Sequence, residues 1–271
     1  MINALQSKKT RTDHEFSERA RMRDSPKPTL QVGIIATRRP DLIEVMLNSF
    51  STKLFSNFQV TTAYANIDPA FGSKEDEKLV LDCVRSYLPM AETRTPSTPS
   101  FGAAVKWTWA QFKPGLALHL EDDWELNESI FPNDVTSKMT KGYSAISLCG
   151  NHPTWYKRKK YLWVGARRTK FPYFGYEKIP ALGTQPKFIE GAFANKISSL
   201  MNPELDPEKQ MLPGFGSVFS EIIKSNKCGF LDKSGIQQYG VLNELGRAWR
   251  DQKKIKKVLK DGRSEWETEH D

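Results

Sequence analysis

The chain has 271 residues, of which 38% are hydrophobic and 11% aromatic, and its formal net charge is +8. This length and composition fit one large α/β domain with a real core. The three cysteines are far apart, which excludes a disulfide framework or a cysteine metal cluster, and no apolar run is long enough for a transmembrane helix. We therefore expect a soluble, cytoplasmic protein.

The first elements in chain order alternate strand and helix. Residues 1–28 are polar and predict a tail. Val32, Ile34 and Ile35 suit a buried strand. The next apolar residues recur at helical spacing and predict a helix whose core-facing residues are Leu42, Val45, Met46, Leu47 and Phe50.

The same alternation continues along the chain. A strand is predicted over 58–68, a helix over 74–88, a helix over 101–112 and strands over 116–120 and 143–151. Strands that alternate with helices favour an α/β fold with a mostly parallel, doubly wound sheet flanked by helices. The second half is less regular, with a strand and helix over 186–201 and a basic helix over 245–260.

Polar residues follow three of the predicted strands. They are Thr37 to Asp41 ("TRRPD"), Asn66 to Asp68 ("NID") and Glu121 to Asp123 ("EDD"). In a parallel sheet the carboxyl ends of strands meet at one crevice, where open α/β sheets bind ligands. Arginines there could bind phosphates, and the carboxylates could hold Mg²⁺ or Mn²⁺. The alternative for the triplet is an ordinary solvated acidic turn.

The order of these motifs, with "FGAAVKWTW" before the acidic strand, resembles that of GT-A glycosyltransferases. The resemblance covers roughly residues 30–151 and implies a nucleotide-diphospho-sugar as donor substrate and a divalent metal, Mn²⁺ or Mg²⁺, as cofactor. It implies Asp123 as the direct metal ligand, with Glu121 beside it. The residues that it implies at the donor are Thr37, Arg38, Arg39, Asp68, Gly102, Lys106 and Asp122.

A single catalytic domain is then expected over 29–245, with a donor half at 29–151 and an acceptor half at 152–245. Residues 246–271 would form a basic helix and tail. In an inverting transfer a carboxylate must remove the proton of the acceptor hydroxyl. Glu190, at the end of an apolar run and before a glycine, is the first candidate for this base. Asp206 and Glu208 are the second.

Two basic segments suggest a polyanionic acceptor. Residues 155–170 hold seven Lys or Arg and no acid, and residues 245–260 hold seven against Asp251 alone. With this charge, the chain resembles phage-type and base-J-type DNA glycosyltransferases, which implies duplex DNA with hydroxymethylated pyrimidines as partner. The residues expected to bind it are Trp155, Tyr156, Lys157, Arg158, Lys159, Lys160, Arg167 and Arg168.

Three alternatives remain open from the sequence. The same chemistry could act on a surface glycan or a lipid-linked acceptor, with the basic segments facing anionic lipid. The chain could instead be a nucleic-acid-binding protein without enzymatic activity. A nucleotidyltransferase could also place acids at a strand end, but no glycine-rich loop with a basic residue accompanies them here.

Overall fold

The computed structural model describes residues 26–149, 182–211, 217–231 and 240–268, with the backbone of 166–168 and 176–178. The predicted tail up to residue 25 and the basic–aromatic residues 155–160 lie outside the described residues. Within the described part, no helix has both the length and the apolar character needed to cross a bilayer.

Thirteen strands, eight α-helices and one 3-10 helix, Phe55–Asn57, form the described elements. The strands are β1 Thr29–Thr37, β2 Gln59–Asp68, β3 Ala91–Arg94, β4 Leu116–Glu121, β5 Trp124–Leu126, β6 Tyr143–Ser147, β7 Ala166–Arg168, β8 Tyr176–Lys178, β9 Lys187–Glu190, β10 Lys227–Phe230, β11 Leu242–Glu244, β12 Ile255–Lys260 and β13 Arg263–Thr268. The helices are α1 Pro40–Lys53, α2 Lys74–Tyr87, α3 Phe101–Gln111, α4 Pro132–Met139, α5 Gly191–Leu200, α6 Pro207–Gln210, α7 Ser217–Lys224 and α8 Gly246–Gln252.

Seven strands form one sheet in the order β10-β6-β9-β4-β1-β2-β3. Each neighbouring pair is parallel except at β9, which runs antiparallel to both β4 and β6. The predicted α/β fold with a mostly parallel sheet is confirmed. The antiparallel β9 between β4 and β6 was not predicted.

Helices cover both faces of this sheet. Along β1, Val32 and Ile34 face a core that includes α1 and α2, whereas Ile35 faces the core that includes α3 and α5. A strand that is buried on both faces has a continuous apolar sequence, as β1 does. Val45 was predicted to face the core from α1, and this prediction is wrong, because the residue is 40% exposed.

The prediction of a basic helix over 245–260 is confirmed for the first half of this range and wrong for the second half, which forms a strand. The helix α8 ends at Gln252, and Lys254 takes a left-handed backbone conformation with φ of 53°. This conformation cannot continue a right-handed helix. The chain then forms β12, which pairs with β13 as a two-stranded antiparallel ribbon.

The chain leaves the sheet after β6 and returns to it before β9 at neighbouring positions. The backbone N–H of Leu148, just after β6, donates to the carbonyl of Pro186, just before β9, at 2.9 Å. Because β6 and β9 are paired, residues 149–185 begin and end at neighbouring positions on the sheet.

A buried histidine in β4 predicts an acid-sensitive fold. His119 is fully buried, and its Nδ1 accepts from Trp109 Nε1 at 3.0 Å. Burial, with the nearby charge of Lys187, holds the pKa of His119 well below 6.5. Below pH 6.5 the unfolded histidine binds a proton that the folded one does not, so acid lowers the free energy of unfolding.

The matched variant is His119→Gln, whose amide oxygen can still accept from Trp109. We expect the stability of wild type, relative to this variant, to fall by about 1.4 kcal/mol per pH unit below pH 6.5. Urea unfolding of both proteins between pH 7.5 and 5 measures this difference. A difference that stays constant with pH would contradict it.

Candidate functional site

The three polar strand ends lie together at the carboxyl edge of the parallel strands, as predicted. Thr37, at the end of β1, pairs with Asp68 at the end of β2. On the other side of β1, Ile35 pairs with Glu121, and the N–H of Asp122 donates to the carbonyl of Ile35 at 3.1 Å.

Asp122 joins the ends of β1 and β4. Its Oδ2 accepts from the Thr37 N–H at 2.8 Å and the Thr37 hydroxyl at 3.0 Å, and its Oδ1 accepts from Arg39 Nη2. The residue is only 2% exposed. Both oxygens are thus used inside the protein, and Asp122 fits a positioning role better than the direct donor contact predicted for it.

Arg39 is the counter-ion of Asp122. It is 5% exposed, and its Nε also donates to the Thr37 hydroxyl at 2.7 Å. Burial would lower its pKa, but Asp122 and Asp123 outweigh burial and raise it. The guanidinium lies 5.4 Å from the ring centroid of Phe71 and 5.3 Å from that of Trp249, so aromatic faces complete its surroundings.

Arg38 holds the loop that follows β2. Its Nη2 and Nε donate to Glu77 at 2.7 and 3.0 Å, and its Nη1 donates to the carbonyl of Gly72 at 3.2 Å. A Cβ at Gly72 would lie 2.3 Å from the carbonyl oxygen of Arg38, so only glycine permits this close approach. The geometry assigns Arg38 to loop structure, and its predicted contact with the donor stays a prediction.

Asp68 is 6% exposed and faces the same edge. It accepts from Asn66 Nδ2 at 2.9 Å and from the N–H of Ser100 at 3.1 Å. Burial raises its pKa. Asp68 lies at the end of β2, beside the start of α3, and this position fits the predicted contact with a donor nucleoside.

Asp123 lies among cationic groups. Its Oδ2 is 3.5 Å from Arg39 Nη2 and 3.8 Å from Arg250 Nη1. Burial is the largest influence on its pKa, which is raised to about 6 against the opposing effect of Arg39. This oxygen is therefore shared between two guanidinium groups, and a metal ion bound there would compete with them.

Glu121 has one carboxylate oxygen without a hydrogen-bond partner. Its Oε2 accepts from Trp124 Nε1 at 3.2 Å, and its Oε1 is buried and unbonded. Burial, Asp123 and Glu208 raise its pKa to about 8. A buried oxygen without a hydrogen bond destabilises the folded protein, and a bound cation or hydrogen-bond donor would offset this cost.

The residues present fit a divalent metal in their chemistry, because carboxylate oxygens are the ligands that Mg²⁺ and Mn²⁺ prefer. Asp123 and the unbonded oxygen of Glu121 are the protein groups that would hold it. Over the described residues, however, no three His, Cys, Asp or Glu side chains form a ready metal site. The diphosphate of the donor would have to supply further ligands.

Glu208 reaches the same cluster from α6. Its Oε1 accepts from Thr184 Oγ1 at 3.0 Å, from the Thr184 N–H at 3.3 Å and from Gln185 Nε2 at 2.8 Å. Because β9 is antiparallel, its first residue Lys187 lies at this edge, and burial lowers the pKa of that lysine to about 8. Glu208 is the predicted base that the fold brings to the carboxylates.

The first candidate for the base, Glu190, does not fit. It ends β9 and pairs with Leu116 at the start of β4, which is the opposite edge of the sheet from Glu121. Leu116 and Glu121 are five residue steps apart along β4, or about 16 Å. The Glu190 carboxylate accepts from the N–H groups of Gly115 and Phe193 and caps α5.

Three other predicted residues have structural contacts. Asp206 is buried, caps α6 by accepting from the Glu208 N–H, and lies 3.4 Å from Lys257 Nζ. Gly102 packs against the backbone of Pro203 and Leu205, where a Cβ would lie 2.6 and 2.4 Å from their carbonyl oxygens. Lys106 donates to the carbonyl of Met201 at 2.7 Å.

The expected acceptor residues cannot be placed. Trp155 to Lys160 lie outside the described residues, and Arg167 and Arg168 belong to β7, of which only the backbone is described. Their predicted role stays a prediction.

Several residues of the site escaped the sequence analysis. The rings of Trp249 and Trp266 meet Phe71 with centroid distances of 5.4 and 4.9 Å, and Arg250 lies beside Asp123. Phe71 has a φ of 70°, which is unfavourable for a side chain of this size. No local sequence signal marks these contacts, because each joins residues that are far apart along the chain.

No protein-family model and no curated protein matches the sequence. Solved structures do resemble the fold. GalNAc-T7 with UDP, GalNAc and Mn²⁺ superposes with a TM-score of 0.50 and 14% identity over 77% of this chain and 43% of that one. The fold is GT-A-like.

Two further solved structures superpose with slightly lower scores. TarS 1–349 of S. aureus in complex with UDP-GlcNAc has a TM-score of 0.49 and 14% identity over 76% of this chain and 56% of that one. A putative glucose-1-phosphate thymidylyltransferase from Bacillus anthracis has a TM-score of 0.47 and 11% identity over 80% and 90%. The chain spans 35% of the longer TarS structure.

Proposed function

We propose that the protein is a glycosyltransferase that moves a sugar from a nucleotide-diphospho-sugar to a hydroxyl group. The supporting observation is the buried carboxylate cluster at the end of β4, joined through Asp122 to the end of β1 in a GT-A-like sheet. Thr37 and Asp68 line the same edge and are suited to the nucleoside.

The acidic cluster supports a role for a metal in this reaction. A divalent cation, Mn²⁺ or Mg²⁺, held by Asp123 with Glu121 behind it, would neutralise the diphosphate as it leaves. Asp122 and Arg39 hold Asp123 in place, because their pair fixes the backbone from which Asp123 projects.

Glu208 is the proposed general base. The acceptor oxygen forms a bond to the anomeric carbon of the sugar, the bond from that carbon to the diphosphate oxygen breaks, and the Glu208 carboxylate takes the hydroxyl proton. Thr184 and Gln185 hold one carboxylate oxygen through three hydrogen bonds, which fixes the orientation of the side chain.

Glu208→Gln should lower kcat for transfer about a hundredfold to ten-thousandfold, because the amide keeps the hydrogen bonds but cannot accept the proton. The control is Glu204→Gln, an exposed acid in the preceding turn, which should leave kcat unchanged. Initial rates over pH 5–9 provide the measurement. Near-normal turnover in Glu208→Gln would exclude it as the base.

The proposed acceptor is the hydroxymethyl group of a modified pyrimidine in DNA. The support is charge: the two segments of seven basic residues, of which 245–260 forms α8 and the ribbon strand β12 beside the site. Lys256 of β12 is exposed and could contact a polyanion.

Turnover of a donor panel tests the proposed function. Purified protein is incubated with UDP- and GDP-sugars, Mn²⁺ or Mg²⁺, and one acceptor at a time: DNA with or without 5-hydroxymethylpyrimidines, oligosaccharides, or vesicles with a lipid-linked glycan. A hexose-sized mass gain on the modified nucleoside supports both donor and acceptor. Transfer to the glycan alone would keep the chemistry and exclude DNA. No donor consumption would contradict the proposed function.

A further inference from the structure

The C-terminal segment packs directly on the acidic end of β4. Strand β11 pairs with β5, so that Glu244 lies opposite Trp124, and the Leu245 N–H donates to the Asp123 carbonyl at 2.9 Å. The next residue is Gly246, where a Cβ would lie 2.1 Å from Asp123 Oδ2. Helix α8 therefore begins in contact with the carboxylate that we propose as metal ligand.

This packing brings a second arginine to the site. Arg250, one turn into α8, has its Nη1 3.8 Å from Asp123 Oδ2 and its Nη2 3.4 Å from Glu244 Oε1. Its guanidinium lies over the ring of Trp266, 5.6 Å from the centroid. The side chain is 22% exposed, so a ligand can reach part of it from solvent.

We propose that Arg250 is a diphosphate-binding residue of the donor site. This inference rests on the proposed function and adds a residue that the acidic motif does not contain. A planar guanidinium offers parallel N–H donors that match phosphate oxygens, and Trp266 holds the plane of this one.

Charge supports this role. Asp122 is already paired with Arg39, so Asp123 and Glu244, the two carboxylates that contact Arg250, carry the negative charge that an approaching diphosphate would meet. Like charges would repel the donor unless cationic groups offset them. A diphosphate bound beside Asp123 lies within reach of Arg250, because the guanidinium is already within 4 Å of the carboxylate.

Arg39 is less suited to this role than Arg250. Its guanidinium donates to Asp122 and to the Thr37 hydroxyl, and its side chain is only 6% exposed. Turning it toward a ligand would leave Asp122 buried without its counter-ion, which is strongly unfavourable. The contacts of Arg250 are longer and its side chain is more exposed, so it can exchange a carboxylate for a phosphate.

Arg250→Ala tests the proposal by equilibrium binding. The probes are UDP and GDP, with uridine and guanosine as ligands that lack phosphate, titrated calorimetrically in EDTA and again with Mn²⁺. We expect the variant to bind the better nucleoside diphosphate about tenfold to a hundredfold more weakly, with nucleoside binding unchanged. Arg250→Lys should recover part of the affinity.

Arg247→Ala is the matched control. Arg247 lies on the same helix, is 64% exposed and is 3.7 Å from Glu244, so its loss removes the same charge from α8. We expect it to bind nucleoside diphosphates like wild type. Thermal unfolding of all variants checks that each is folded.

The outcomes separate this inference from the proposed function. If wild type binds neither nucleoside diphosphate, the proposed function fails and the inference with it. If wild type binds and Arg250→Ala binds equally well, the inference alone is overturned. An equal loss for nucleoside and diphosphate would also overturn it, because Arg250 would then act through the fold.

Discussion

Asp123→Asn should lower glycosyl transfer about a hundredfold to a thousandfold, the usual effect of removing one charge-stabilising group from an active site. The asparagine keeps the shape of the side chain but loses the charge that would hold a cation. Folding stability should not fall, because burial raises the pKa of Asp123 to about 6 and the charged form is therefore disfavoured in the folded protein. Transfer rates at saturating donor and a urea unfolding curve measure both quantities.

The control for this substitution is Glu125→Gln. It makes the same chemical change two residues along the chain, on a partly exposed side chain that accepts from Asn243 Nδ2 at 3.2 Å. The control should transfer sugar at the wild-type rate. Equal transfer rates for Asp123→Asn and wild type at every Mn²⁺ concentration would exclude a role for Asp123 in the reaction.

Asp122→Ala should lower the free energy of unfolding by about 3–5 kcal/mol, because it leaves Arg39 buried without its partner. The Asp122 carboxylate also satisfies two groups of Thr37, which would lose their acceptor. The effect should be visible at neutral pH as a large shift of the urea midpoint.

An exposed ion pair provides the comparison. Lys260 Nζ lies 2.6 Å from Glu267 Oε1, with side chains 54% and 50% exposed. Lys260→Ala should cost less than about 1 kcal/mol, because solvent screens such pairs. If Asp122→Ala lowered the free energy of unfolding no more than Lys260→Ala, the buried pair of Asp122 and Arg39 would not stabilise the contact between the ends of β1 and β4.

The sequence predicted the first half of the fold well. Strands β1, β2 and β4 and helices α1 to α3 have strong local signals: apolar runs, helical periodicity, and Ser100 as the cap of α3. The meeting of Thr37, Asp68 and Glu121 at one edge followed from parallel pairing alone.

The site itself required tertiary information. A four-residue strand such as β9 does not reveal its direction, and this direction moves Glu190 to the far edge and brings Lys187 to the near one. The basic segment 245–260 has helical composition, but pairing with β13 makes its second half a strand. Burial of Arg39 between Asp122 and two aromatic rings is likewise invisible in the local sequence.

The hydrogen bond between Leu148 and Pro186 has a consequence for how this protein could diversify. Leu148 and Pro186 are hydrogen-bonded beside the β6–β9 pair, so the chain between them leaves the sheet and returns to it at neighbouring positions. We expect the register of β6 and β9 to survive changes of length in that stretch. The chain returns through Thr184 and Gln185, which hydrogen-bond the proposed base Glu208, to Lys187 at the same sheet edge as the carboxylates. Changes of length in this stretch would therefore act directly beside the proposed base, and only those that keep Thr184 and Gln185 would keep the orientation of Glu208.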